Sequence, residues 1–368
     1  RAPPAMNYRI VATLGPVTGG EKMWRSLLEA GVTAFRLNTA HFRLEELKAW
    51  LERIAGFLEQ TGTGGGASRE RDGSALELPF PAILDLQASK WRIGTVRSAG
   101  LEEGASVGLI PAQGQGAGPK GAGCGPGDLP IPHTDFFTAA RATGGGDIAV
   151  NDAKVMLRIE RLEKKRIYAR VIRGGEISTG KGITLVGSGY RKEQLSRKDR
   201  RIVELGRSYP FVRYALSYVK DAEEMNNYRR LFPDSTYLIA KVERASALEE
   251  AEQIARSADE LWICRGDLGA EMGSAAMAEQ LFRFFPRIPE IPKPVLLAGQ
   301  VLEHLSANPT PTRSEISYLY ESLQRGFRGF VLSDETAVGA YPLEACRVAA
   351  LFLSRDRPAG SGSEASAT

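Results

Sequence analysis

Eight short apolar runs, each followed by a stretch of helical character, constrain this chain more than any other feature of its sequence. The runs are Tyr8–Thr13, Ala34–Asn38, Pro81–Leu86, Phe211–Leu216, Thr236–Val242, Glu260–Arg265, Pro294–Ala298 and Gly329–Leu332. They are nearly continuous in apolar residues, as parallel strands buried on both faces must be. The intervening stretches carry apolar stripes. Met23, Trp24, Leu27 and Leu28 share one face of Glu21–Ala30, and Leu44, Leu47, Trp50, Leu51, Ile54, Phe57 and Leu58 recur at helical spacing. Eight β-then-α units predict an α/β fold, a (β/α)8 TIM barrel.

Between the third and fourth runs the texture changes. Residues 96–188 hold short alternating runs such as Lys154–Glu160 and Arg166–Ile172, with no long helical stripe. This predicts a small β-rich domain inserted after strand 3. Taking it out of 368 residues leaves about 260, near the usual size of such a barrel. The predicted organisation is therefore a barrel from residues 1–95 and 189–357, an inserted lid at 96–188, and a disordered tail at 358–368. Two glycine-rich stretches, TGTGGGASRERDGS after the second helix and GQGAGPKGAGCGPG in the insert, read as surface loops that cannot pack a core.

The net charge of +4 is too small to argue for nucleic acid or a membrane surface. No apolar run reaches the roughly 18 residues of a membrane span, and no leader pattern opens the chain. The three cysteines, Cys124, Cys264 and Cys346, are far apart and form neither a disulfide framework nor a metal knuckle, so a reducing cytoplasm is expected.

Barrel chemistry gathers at the carboxyl ends of the strands. Those ends supply Thr13, Arg36, Asn38, Asp85, Ser217, Lys241, Glu243, Asp267, Gln300 and Ser333. Cations and carboxylates converge there without histidine or cysteine, which suits a hard divalent cation such as Mg²⁺ or Mn²⁺ and an anionic, phosphorylated substrate. Lys241 and Glu243 lie two apart and share a face of a strand, behind an apolar flank that disfavours a merely solvated edge. Arg265–Gly269 reads either as a turn built for backbone geometry or as a helix start whose free N–H groups hold an anion. Cys264, Cys346 and the tryptophan–leucine stripe of the second helix read as core rather than chemistry.

The stretches RIVATLGP, AFRLNTAHF, AILDLQASKWRIG, IPHTDFF, GDIAVNDAKVMLRI, LSRKDRR, LIAKVER, ICRGDLGAEM, PVLLAGQVLE, NPTPTRSE and VLSDETAVGAYPLEA resemble the pyruvate kinase family in order and spacing, from Arg9 to about Arg357. The resemblance implies Mg²⁺-dependent phosphoryl transfer from phosphoenolpyruvate to ADP, giving pyruvate and ATP. It implies that Glu243 and Asp267 hold the metal, that Lys241 neutralises the transferring phosphoryl group, and that Arg36 clamps it. Gly266, Asp267 and Gln300 would bind the substrate. Asn38, His41, Arg92 and Lys181 would line the nucleotide side, and the insert would close as a lid.

Several positions depart from the family pattern. Ala40 and Leu86 replace the Ser and Thr of its K⁺ pocket, while Lys90 stands where K⁺-dependent members carry Glu. The expectation is that Lys90, with Asp85, substitutes for the monovalent cation and that K⁺ is not required. Ala88-Ser89 replaces Gly-Pro at the lid hinge. Gly299 replaces a threonine of the enolate-protonation apparatus, leaving room for a relaying water or a bulkier substrate. The family's C-terminal effector domain has no counterpart after Arg357, so sugar-phosphate control is not expected, and a monomer or a dimer is as compatible as a larger oligomer. Two other readings stay open on the residues: a Mg²⁺-dependent aldolase or lyase acting on another pyruvate-type enolate, and a non-catalytic metabolite-binding descendant.

Overall fold

The computed structural model describes residues 6–62, 80–88, 90–97, 99–112, 127–151, 153–186 and 195–353. Eight strands form a closed barrel: β1 (Arg9–Thr13), β2 (Ala34–Asn38), β3 (Ala82–Leu86), β4 (Val212–Leu216), β5 (Leu238–Val242), β6 (Glu260–Cys264), β7 (Val295–Ala298) and β8 (Gly329–Leu332). All neighbours pair parallel in chain order, and β8 closes onto β1. Alternation divides each strand between two cores. Val11, Ile83, Ala215, Ile239, Trp262, Leu296 and Val331 fill the barrel. Their neighbours Ile10, Leu84, Leu216, Ala240 and Leu297 pack outward against the helices.

The register brings the carboxyl ends level, with Thr13 beside Arg36, Asn38 beside Asp85, and Cys264 beside Ala298. At the opposite end Glu260 plugs the barrel. It pairs with Arg9 and accepts from Tyr237 Oη at 2.9 Å and Trp262 Nε1 at 2.6 Å.

The first two helices, α1 (Glu21–Glu29) and α2 (Leu44–Thr61), follow the predicted stripes. On α2, Leu47, Leu51, Ile54, Phe57 and Leu58 are buried, each worth about 1.5–3 kcal/mol of transfer free energy. The helix stops at Gly62, whose φ of 70° suits a residue without a Cβ. Trp50 differs from its predicted place in this stripe: it is only half-buried and turns toward the barrel mouth.

Between β3 and β4 lies a six-stranded sheet in the order Ile183–Leu185, Asp147–Val150, Val155–Leu162, Ile167–Arg173, Ser106–Pro111 and Asp128–Ile131. A two-stranded sheet pairs Ala99–Leu101 with Gly175–Ile177. The insert also carries a helix, Thr134–Thr143, that the sequence reading did not register. It is only ten residues long and buries Phe136, Phe137, Ala139 and Ala140. Trp91 and Ile93, ahead of residue 96, already belong to the insert's core. Both glycine-rich stretches, apart from a few end residues, as well as the C-terminal tail, Cys124 and Ser89, lie outside the described residues. Among the described residues, no helix is long and apolar enough to cross a membrane.

Candidate active site

A cavity of about 590 Å³ opens between the carboxyl ends of the barrel strands and the insert. Arg36, Asn38, His41, Lys90, Arg92, Lys181, Lys241, Glu243, Gly266 and Asp267 all line it. They arrive from β2, which supplies both Arg36 and Asn38, from β5 and the residue after it, from the helix that follows β6, and from the insert and its approach.

Asp85 anchors the floor. One of its oxygens takes Arg36 Nε at 2.9 Å and Arg36 Nη2 at 2.5 Å, and Lys241 Nζ lies 3.1 and 3.3 Å from the two oxygens. Ser217 Oγ completes the cage, 3.1 Å from Asp85 and 3.2 Å from Lys241. Arg36 extends its other arm to Thr13 Oγ1 at 2.9 Å and Ser333 Oγ at 3.4 Å. Lys241 also lies 2.9 Å from Glu243 Oε1, but off any hydrogen-bond direction, so that oxygen is buried without an aligned donor. Glu243 Oε2 accepts the Tyr218 N–H at 2.6 Å.

Asp267 sits in the first turn of the helix Arg265–Met272, which starts where the sequence offered a choice between turn and helix start. Its Oδ1 accepts Lys90 Nζ at 2.5 Å and Tyr218 Oη at 3.2 Å. Lys90 reaches it because residue 182 is glycine: a Cβ there would stand 2.6 Å from Lys90 Cε. Here the structure departs from expectation. Asp85 is held by Arg36 and Lys241, and Lys90 pairs with Asp267. Ala40 has no hydroxyl, and Leu86 packs into the outer core, away from the cavity.

These contacts set the charge states. Burial would lift Asp85, but Lys241 and Arg36 hold its carboxyl well below the usual range. Burial would lower Lys241, but Asp85 and Glu243 push its ammonium above its ordinary value. Between the two facing carboxylates the shifts are opposite. Glu243 is raised by burial and by the charge of Asp267, against the pull of Lys241. Asp267, which burial would also raise, is drawn down by the Lys90 ammonium. The asymmetry follows from geometry: Lys90 touches Asp267 directly, whereas Glu243 shares Lys241 with Asp85.

On the nucleotide-facing side, Asn38 Oδ1 accepts the Ala40 N–H at 3.3 Å, and Arg92 Nη1 donates to Gly180 O at 2.8 Å. Arg92 Nε is buried without a partner. The His41 ring lies beside Gly180; burial, then the charges of Arg92, Lys181, Arg36 and Lys198, bring its pKa down to about 4. The insert is docked on the barrel through Thr184 Oγ1 with Tyr218 Oη at 2.6 Å, and through Lys154 with Glu303 at 3.1 Å and Asp334 at 3.6 Å. At the hinge, Ala88 has a φ of 45°, and Asp199 accepts the N–H groups of Gln87 and Ala88 at 3.0 and 3.2 Å.

Two further expectations need correction. Gln300 is exposed and does not line the cavity; its carbonyl accepts Arg265 Nη2 at 2.7 Å. Gly299 does not leave room where a side chain would point. Its φ is 84°, and a Cβ would stand 2.8 Å from the Gly266 nitrogen and 3.1 Å from that of Arg265. Sequence reasoning missed Tyr218, whose only signal is its place immediately after Ser217 at the end of β4. It also missed Phe42 and Trp50, which form an apolar wall with Pro16 and Val338. Cys264 and Cys346 are buried free thiols, and Cys264 also lines the cavity.

Among the described residues, no group of three or more His, Cys, Asp or Glu is arranged to enclose a metal ion. Glu243 and Asp267 fit a different kind of site. Mg²⁺ commonly takes one or two carboxylates and fills the rest of its octahedron with substrate oxygens and water. Glu243 Oε1, buried without an aligned donor beside Asp267, is the oxygen such an ion would take first.

A family model described as the pyruvate kinase barrel domain matches residues 5–346. Curated relatives include a pyruvate kinase of Agrobacterium vitis, 34% identical over 342 residues, which are 92% of this chain and 66% of that protein. A second from the same organism is 31% identical over 349 residues, covering 94% of this chain and 69% of the relative. A pyruvate kinase of Methylorubrum extorquens is 30% identical over 341 residues, with 92% and 66% covered. The chain thus spans about two thirds of the length of the curated relatives it matches.

Proposed function

The chain belongs to the pyruvate kinase family, and from this premise we propose that it transfers the phosphoryl group of phosphoenolpyruvate to ADP, yielding pyruvate and ATP. The observation that carries the reading is the convergence of Arg36, Lys241, Glu243 and Asp267 in one cavity beneath a docked insert.

Phosphoryl transfer needs positioning and charge neutralisation more than covalent help from the protein. Lys241, fixed by Asp85 and Ser217, presents a permanent positive charge to the phosphoryl group. Arg36, held by Asp85 and Thr13, clamps the same group from the β2 side. Glu243 and Asp267 would hold Mg²⁺, which would supply charge neutralisation for the anionic substrate. The N–H groups at the start of Arg265–Met272 would receive the substrate carboxylate, as helix starts do for anions.

In the transfer, the bond between phosphorus and the enol oxygen breaks as a new bond forms to a terminal oxygen of ADP. The enolate left behind takes a proton at carbon. No side chain at Gly299 can assist, so we assign the proton to water admitted to the cavity. Asn38, His41, Arg92 and Lys181 form the polyphosphate side, and Phe42, Trp50 and Pro16 the apolar wall for a base. Lys90 takes the place of a monovalent cation by neutralising Asp267, which makes activity independent of K⁺. The buried free thiols fit a reducing cytoplasm.

The decisive experiment incubates the protein with phosphoenolpyruvate, ADP and Mg²⁺, with and without K⁺, and quantifies ATP and pyruvate directly. Both products, at rates indifferent to K⁺, are expected. Neither product, with pyruvate methyl-proton exchange that needs no nucleotide, would replace the proposal by lyase-type enolate chemistry. Neither product and no Mg²⁺-dependent oxalate binding would point to a non-catalytic descendant.

A further inference from the structure

We propose that Tyr218 is a positioning residue that ties docking of the insert to the orientation of the two metal-facing carboxylates; the proposal deepens, and rests on, the phosphotransferase reading of the site. Tyr218 directly follows Ser217 at the end of β4 and is fully buried. Its φ is 60°, a left-handed conformation that a bulky side chain rarely adopts and that the surroundings must enforce. What this conformation achieves is legible in the contacts. The backbone N–H donates to Glu243 Oε2 at 2.6 Å, while the hydroxyl reaches Asp267 Oδ1 at 3.2 Å. One residue therefore holds both carboxylates, which come from different strand ends.

The hydroxyl has a second partner. Thr184 Oγ1, on the insert strand Ile183–Leu185, lies 2.6 Å away. An ionised Asp267 can only accept, so Tyr218 donates to it and Thr184 must donate to Tyr218. The result is a directed chain from the insert to the carboxylate: Thr184 O–H to Tyr218 O–H to Asp267. Hydrogen bonds in such chains polarise one another, so Tyr218 is the stronger donor when Thr184 is in place. The neighbouring Gly182 backs Lys90, the other donor to Asp267. The insert thus touches both groups that orient Asp267, Tyr218 through Thr184 and Lys90 through Gly182, and the Thr184 contact requires the insert to be docked.

Tyr218→Phe retains the ring, and with it the packing beneath Lys90 Nζ, which lies 5.1 Å from the ring centroid. Thr184→Val retains shape on the insert side. Removing groups that orient a metal ligand lowers activity or metal affinity by about 10- to 100-fold. Each variant is expected to lower kcat by about that factor with little change in KM for ADP, and to weaken Mn²⁺ binding measured with oxalate present. The double variant should be no worse than the poorer single, because one chain has been cut. Independently of activity, amide exchange at Ile183–Leu185 in the metal-free protein should rise about 2- to 10-fold in each variant, as expected for one lost hydrogen bond.

Unchanged exchange and unchanged Mn²⁺ binding in a folded Tyr218→Phe would overturn the proposal. So would effects that add in the double variant. Should Tyr218→Phe fail to fold, Thr184→Val reads the same chain from the other side. A wild-type protein that forms no ATP would sink the functional reading, while the exchange and Mn²⁺ measurements would still decide the role of Tyr218.

Discussion

Replacing Lys90 by methionine removes one charge while keeping much of the side-chain volume. The cluster at the barrel mouth is balanced, with Arg36, Lys90 and Lys241 facing Asp85, Glu243 and Asp267. The Lys90 and Asp267 side chains are only 7% and 11% exposed. Removing one partner of so buried a pair leaves an uncompensated charge, at about 3–5 kcal/mol. That penalty falls on the metal-free fold, and because Mg²⁺ on Asp267 would restore part of the missing charge, the loss in kcat/KM is at most about two to four orders of magnitude at 1.36 kcal/mol per decade. Protonation of Asp267 relieves part of it. Burial raises the Asp267 pKa and Lys90 draws it down, so in the variant the carboxyl takes a proton at higher pH than in the wild type. The stabilisation carried by the depressed pKa is present above the unfolded value near 4 and is lost as pH falls through the folded value. The deficit of Lys90→Met is therefore greatest at alkaline pH. Lys90→Ala, which opens space beside Gly182, should regain activity with K⁺ but less with Na⁺, whereas Lys90→Met should not. The assay is steady-state ATP formation in K⁺ or Na⁺ at matched ionic strength. Full activity in Lys90→Met, or strong K⁺ activation of the wild type, would refute the assignment of Lys90 as the resident cation.

Lys241→Met should lower phosphoryl transfer by about 10³- to 10⁵-fold, the range for a cation at a transferring phosphoryl group, while Mn²⁺ binding persists. Glu243→Gln should instead weaken Mn²⁺ at least about tenfold; retention of full transfer by Lys241→Met would remove it from the mechanism. Gly299→Thr is expected to destabilise the fold by about 1–3 kcal/mol, because it forces a β-branched residue to a φ of 84° and against the Gly266 nitrogen. An unchanged melting temperature in that variant would contradict this. Burial lowers the pKa of His133 to about 4, with Asp135 opposing. The unfolded chain takes up that proton near 6.5, so its contribution to stability is full above that pH and falls as pH drops toward 4, which melting temperatures across the interval will show. A His133 resonance titrating near 6.5 would argue against it.

The barrel was legible because each strand is buried on both sides, and such strands announce themselves as apolar runs. The sequence reading placed Ala34–Asn38 and Gly329–Leu332 at the bounds the structure gives. Lys241 and Glu243 could be found for a related reason. Val242 between them packs outward, so strand alternation alone turns the flanking pair toward the axis. The helix Thr134–Thr143 escaped notice because its two adjacent phenylalanines and small alanines make no long stripe. Gln300 was misplaced because Gly299 turns the backbone left-handed, and Gln300 itself has a φ of 51° that carries its side chain to the surface.

What sequence reasoning could not reach shares one physical origin: the contacts depend on backbone conformation and on docking between parts of the chain far apart in sequence. The Lys90 ammonium could be matched to a missing monovalent cation from its position in a motif. Its choice of Asp267 over Asp85 was decided elsewhere, by Arg36 and Lys241 filling Asp85 and by a glycine at 182 leaving room for the Lys90 chain. Tyr218 gave still less warning, since its value lies in a left-handed turn that places an amide and a hydroxyl on two different carboxylates. Both residues converge on Asp267 from groups that the insert holds in place. Asp267, already paired with Lys90, is therefore the carboxylate whose hydrogen-bonded surroundings the insert completes.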